Sequence, residues 1–226
     1  MTDQRWGAIA LVASALAGLA TMAMHPTGHE FSHGGVPDVG VEIRNTFVHT
    51  LALAAAPVGF LGALVLALQL TRPGDRLAIA ALAAYGLAEV GVAIAATASG
   101  YMAPGLLRKI ASSSGAEATL WNAVGAYNGL LNQAFAKVYV LASGAAVLMW
   151  SIAMLRGRQF PRPLGVFGAL IGAVLVVAMA ANRIRLDVHG FGAVVLAEAI
   201  WFVVTGAVLW GLPPPTRRAS SDLPPA

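Results

Sequence analysis

Six long apolar runs, separated by short polar segments, constrain this chain more than any other feature. A bilayer's hydrocarbon core needs about 20 apolar residues per crossing helix, with roughly 17–25 tolerated. Runs of this kind cover residues 6–24, 46–70, 77–102, 121–155, 164–182 and 188–211. The fourth is too long for one perpendicular crossing, so its first turn or two is expected outside the hydrocarbon. Lipid offers the backbone no hydrogen-bond partners, so each run must be a helix. The reading is an all-α, polytopic integral membrane protein, a six-transmembrane-helix bundle over residues 1–212. The remainder, PPPTRRASSDLPPA at 213–226, is rich in proline and serine and lacks periodic apolar residues, which predicts a disordered cytoplasmic tail.

Composition agrees. Apolar residues make up 58% of the 226 and charged residues 11%, too little polar surface to coat a water-soluble globule. A soluble enzyme is therefore excluded. The absence of cysteine removes disulfide frameworks, thiolate zinc sites, iron–sulfur clusters and cysteine nucleophiles. The net charge of +4 is scattered between the spans, a pattern of topology signals rather than a phosphate-binding face, so no nucleic acid partner is expected. The expected surroundings are a lipid bilayer, with a homo-oligomer or a membrane-complex partner left open. No Walker, Rossmann or nucleophile-elbow motif stands in a suitable context.

Basic residues orient the spans. With both termini inside, Arg5, Arg72, Arg76, Arg156, Arg158, Arg162, Arg217 and Arg218 are inner, while Arg44, Arg108, Lys109, Arg183 and Arg185 are outer. The inner side holds more cations, and the short 156–162 loop is where this rule is most reliable. A composition rich in Ala, Gly and Arg but poor in Lys points to a bacterial-type inner membrane with both termini cytoplasmic. One alternative makes residues 1–23 a cleaved secretory signal, with Arg5 as its basic start. The apolar stretch is longer than the usual signal core, which favours a retained helix. Glycine spacings such as Gly59/Gly62 and Gly165/Gly168/Gly172 predict close helix packing.

Under this topology all five histidines lie on the outer side. In MAMHPTGHEFSHGG, His25, His29 and His33 recur every four residues, the spacing at which helical neighbours share a face. Pro26 disfavours helix at His25, so the expected arrangement ends the first helix there and begins a short turn near Thr27 carrying His29, Glu30 and His33. His49 lies near the outer end of the second span, and His189 follows Asp187 at the outer start of the sixth. Paired imidazoles suit zinc, copper or iron, with Asp187 as a further ligand or as the group orienting His189. The sequence thus nominates His25, His29, His33, His49, His189 and Asp187 as metal ligands, with Glu30 as a candidate proton carrier. The competing reading is that these are ordinary interfacial residues.

Charges inside spans are costly and usually face a cavity or a partner. Glu89, Lys137 and Glu198 are the three here, and all are candidate catalytic groups. Asn45, Asn128, Asn132 and Gln133 extend a polar strip, so a hydrated cavity among the second, third, fourth and sixth spans is expected, with Lys137 as counter-ion to Glu89 or Glu198. The competing reading is that these groups only fasten helices together. Three functions follow: an outer-face metal site, catalytic or not, beside a polar intramembrane cavity; a b-type haem or quinone-linked electron carrier, with His49 and His189 as axial ligands; or a non-enzymatic accessory subunit or small-solute transporter.

Overall fold

The computed structural model describes residues 2–27, 30, 38–73 and 76–212. Among these the fold is all-helical: α1 Asp3–Met24, α2 Val39–Leu70, α3 Leu77–Thr97, a π-helical segment Ala98–Met102, α4 Ala103–Ser112, α5 Gly115–Arg156, α6 Arg162–Ala180 and α7 Val188–Gly211. Because α3, the π segment and α4 run on without a break, there are six helices long and apolar enough to cross a membrane. The expected six-helix architecture is present. The predicted tail at 213–226 lies outside the described residues.

The helices close into a ring, with α1 between α2 and α7, α3 between α2 and α5, and α6 packed on α5 and more lightly on α7. Glycines set the closest crossings. A methyl group on Gly62 would stand 2.7 Å from the Leu11 backbone nitrogen, and one on Gly172 would stand 2.6 Å from the Gly144 carbonyl. These distances fix the α1/α2 and α5/α6 contacts by the backbone itself, as small residues do in lipid. The outward faces are apolar: Leu61, Leu68, Leu87, Leu170, Val174 and Val177 are all more than half exposed. In water such a surface would associate; in a bilayer it meets chains of its own polarity.

One end of the bundle is tied by Gln4, whose amide donates to the carbonyls of Leu209 (2.5 Å) and Leu212 (2.7 Å), and by Arg5 over the Trp210 ring. Residues 71–73 and 157–161 share this end, where Arg72 Nη1 donates to the Arg156 carbonyl. We call it the Gln4 end, and the opposite one the histidine end. Near the Gln4 end Trp150 and Trp201 stack with centroids 6.3 Å apart, and Tyr85 and Phe202 pack edge-on against them. This aromatic layer closes the bundle below its middle.

Two helices exceed the expected spans at the histidine end. Helix α2 starts at Val39 rather than 46, capped by Asp38, whose carboxylate accepts from Gly40 N–H. Helix α5 has 42 residues, about 63 Å at 1.5 Å each, roughly twice the hydrocarbon thickness. The excess packs on α4 as an overhanging hairpin, pinned by an Arg108–Glu42 ion pair and by Lys109 over the Trp121 ring. Helix α6 ends in a left-handed residue, Asn182 (φ 53°). Asn182 N–H reaches the Met179 carbonyl and Arg183 N–H that of Ala178, the paired bonds of a Schellman cap.

Candidate functional site

Two of the nominated groups, Glu89 and Glu198, line one cavity of about 110 Å³. Glu89 stands twelve residues into α3 and Glu198 ten into α7, roughly 18 and 15 Å from those helices' starts at opposite ends of the bundle. Both are therefore near mid-span. The cavity rises from the floor at Tyr85 and Phe202 along α1 to Thr21 and Met22, one turn short of His25. Small residues of α1 and α2, among them Gly18, Ala52 and Ala56, leave the space open; Tyr139, Phe191 and Phe202 wall the other side.

Glu198 is 2% exposed. Its Oε2 accepts from the Tyr139 hydroxyl at 2.8 Å, while its Oε1 is buried without a hydrogen bond; the Ser143 hydroxyl is close enough to the carboxyl to interact but is directed to the Val140 carbonyl at 3.5 Å. Glu89 is half-buried on the facing helix, with Tyr85 one turn before it, and the two carboxyls are close enough to interact. None of the residues lining the cavity is basic.

Lys137 is not the expected counter-ion. Its ammonium donates to Asn182 Oδ1 at 2.5 Å, at the carbonyl-rich end of α6. There the partial negative charge of the helix terminus favours a cation. Gln133, one turn before it, likewise turns to the α6–α7 loop and donates to the Leu186 carbonyl at 3.1 Å. The polar strip thus splits between two neighbours instead of lining one cavity.

Asn45 and Asn128 have a separate task. Pro104 has no N–H to offer the Gly100 carbonyl four residues back, and its ring crowds that position, which is a standard cause of helix distortion. The π segment stands just before Pro104, and side chains of other helices donate to its carbonyls, of which Ala98 also keeps the Ala103 N–H. Asn45 Nδ2 donates to Ser99 (2.9 Å), Thr46 Oγ1 to Gly100 (3.2 Å) and Asn128 Nδ2 to Ala98 (3.0 Å). Neither asparagine lines the cavity, nor does Asn132, which is half-buried on α5.

The histidines divide as well. His25 and His49 meet edge-to-face with centroids 5.0 Å apart. His49 packs flat on Gly100, where a methyl group would stand 2.4 Å from its Cβ. The two Nδ1 atoms lie 2.8 Å from the Pro26 carbonyl and 2.7 Å from the Asn45 carbonyl. A carbonyl only accepts, so each Nδ1 carries a proton. His189 is exposed at the start of α7, beside Arg183, Arg185 and Asp187, and does not face His49 as an axial pair would. His29 and His33 lie outside the described residues. Among the described residues no three His, Asp or Glu side chains converge as a metal site.

The acids near these histidines are engaged. Asp187 caps α7 by accepting from Gly190 N–H at 2.8 Å; that bond, with Arg185 nearby, holds its carboxyl below the usual range. Glu30 accepts from Thr27 N–H at 2.7 Å and pairs with Arg44, and these contacts lower it in the same order.

Tyr85 and Tyr139 are the site residues that sequence reasoning missed. A tyrosine in an apolar run reads as core or interface; the available signal was the four-residue step from Tyr85 to Glu89. Compared with known proteins, the chain matches no family model, no curated sequence and no solved structure.

Proposed function

We propose that this multi-pass membrane protein is a small-solute carrier that exchanges protons for a cation at the Glu89–Glu198 cavity. One observation carries the reading: the buried, unpartnered Glu198 Oε1 in a mid-span cavity that also takes Glu89 and has no basic residue in its wall. Two carboxylates in such a place repel each other and lack solvation, so charge on both requires a cation; without one, the pair keeps a proton. Exchange between those two states is the elementary step of proton-coupled movement. The six-helix ring and its outer lipid-facing surface supply the remaining requirement, a site sealed within a membrane.

The histidine end faces outward and both termini face the cytoplasm of a bacterial-type inner membrane, in keeping with the distribution of basic residues. The natural chain has no cysteine, so single substitutions report sidedness directly. Ser114→Cys at the start of α5 is expected to react with a membrane-impermeant maleimide in intact cells, and Gln159→Cys only after permeabilisation.

The carrier reading is tested with a hydrophobic carbodiimide, which modifies protonated carboxyls in apolar surroundings. Mass spectrometry of the protein in native membrane vesicles is expected to find the adduct on Glu198 or Glu89. No adduct at either position across the accessible pH range would remove the reading.

A second reading rests on the His25–His49 contact. Two adjoining imidazoles whose Nδ1–H groups are fixed by backbone carbonyls could offer Nε2 to a transition ion such as Zn²⁺ or Cu⁺. Elemental analysis of purified protein is expected to find a metal that is lost in the His25→Ala/His49→Ala double variant.

A further inference from the structure

We infer that the cation taken by the Glu89–Glu198 cavity is a small organic ammonium ion rather than an alkali metal ion, an assignment that rests on the carrier reading above. The wall decides between them. A hard ion such as Na⁺ trades its water shell for a full set of oxygens at close range, and a bare ion of that size needs only a small fraction of 110 Å³. Here the oxygens are spread from floor to top, on Tyr85, Glu89, Tyr139, Glu198, Ser14 and Thr21, with the last two hydroxyls turned to the Leu11 and Val48 carbonyls. Most of the rest of the wall is alanine, glycine, valine and aromatic ring. Apolar wall does nothing for a hydrated metal ion. It matches the alkyl groups of an ammonium compound, whose charge is spread over carbon-bound hydrogens and is weakly hydrated.

The aromatic rings strengthen the match. Tyr85 packs with Phe202 (5.6 Å between centroids) and Tyr139 with Phe191 (5.5 Å), and all four line the cavity. Ring faces attract cations through their quadrupole, and cages of aromatic residues are a recurring solution for alkylated ammonium groups. Glu198 Oε1, buried and unpartnered, is the anchor such an ion would take. The anchor is charged when the ammonium is bound and protonated when it is not, so occupancy and proton release are one event.

The small residues of α2 set the size limit. Ala56 lines the cavity beside Ala52, and a larger side chain there would fill the space for alkyl groups without touching the acids' chemistry.

The experiment is protection of Glu198 from carbodiimide, read by mass spectrometry on the full-length protein in detergent or nanodiscs at constant ionic strength. Tetramethylammonium and benzylammonium are expected to slow labelling at least tenfold at millimolar concentration, while NaCl, KCl and neutral benzyl alcohol leave it within twofold. Ala56→Leu is expected to lose at least five-fold of the protection by benzylammonium, measured against that variant's own labelling rate without ammonium; Ala52→Leu serves if that variant does not fold. Equal protection by Na⁺ or by benzyl alcohol, or labelling that no ammonium slows, overturns this inference while leaving the carrier reading in place. Absence of labelling without any added cation is the different result that removes the carrier reading itself.

Discussion

Two polar assemblies sit inside the helical spans, and they differ in what their side chains do with their hydrogen bonds. Around the π segment, Asn45, Thr46 and Asn128 each donate to a backbone carbonyl of Ala98–Met102. Pro104 has no N–H for the Gly100 carbonyl and the turn before it is widened, while the Ala98 carbonyl keeps the Ala103 N–H and takes Asn128 as a second donor. Around the mid-span cavity, Glu198 has one oxygen on Tyr139 and the other on nothing. The first assembly directs its donors to the backbone and leaves over only a neutral amide oxygen, Asn128 Oδ1; the second leaves over a carboxyl oxygen, in the wall of a cavity that a ligand could enter. Polar residues within a membrane span are thus sorted by whether the chain's own backbone needs them.

That contrast predicts opposite responses to mutation. The largest effect belongs to the cavity: Glu198→Gln is expected to abolish carbodiimide labelling at position 198 and to cut cation-dependent proton release more than tenfold in proteoliposomes. Its thermal stability in detergent should be unchanged or higher, because the amide oxygen still accepts from Tyr139 and no buried charge remains. A cooperative loss of fold would instead make Glu198 a structural fastening.

The knot should behave the other way. Asn45→Leu is expected to cost about 1–2 kcal/mol by leaving the Ser99 carbonyl without a donor, measured as a lower midpoint of unfolding. Labelling of Glu198 in that variant should continue at close to the native rate. Gly100→Ala is expected to cost about 1–3 kcal/mol, since the new methyl group collides with His49.

Lys137→Met probes the boundary between the two. If the amine served the acids, its loss would alter labelling; its bond to Asn182 predicts only about 0.5–1 kcal/mol of lost stability and an unchanged labelling rate.

The smallest effect is at the exposed start of α7. Asp187 is held below its ordinary value chiefly by Gly190 N–H, so its contribution is present above the unfolded carboxyl range, about pH 4, and is lost as pH falls through the lower folded value. Amide exchange at Gly190 is expected to quicken across that acid window, and Asp187→Asn should flatten the change.

The fold was largely legible because lipid imposes one rule, enough consecutive apolar residues, that a sequence states outright. Its failures are instructive. Val39–Arg44 and Gly115–Leu120 carry charges and small polar residues that end a hydrophobic run but do not end a helix, so α2 and α5 start earlier than hydropathy indicates. That Glu89, Lys137 and Glu198 stand inside the apolar runs was also legible, and the two acids line one cavity. Azimuth was not. Lys137 sits at a depth that suits the acids but turns towards α6, and no count along the chain reveals which neighbour a side chain faces. The histidines show the same limit, with His25 meeting His49 while His189 lies among Arg183, Arg185 and Asp187.

The bend at Pro104 has a mechanical consequence. The carbonyls of the π segment before it are held by side chains of α2 on one side and α5 on the other, so the distortion belongs to three helices jointly and cannot act as a loose joint in one. Rocking the overhang would have to break all three grips together. The hairpin formed by α4 and the first turns of α5 is therefore a stiff mast, and a force applied at its tip reaches the bundle without being absorbed on the way.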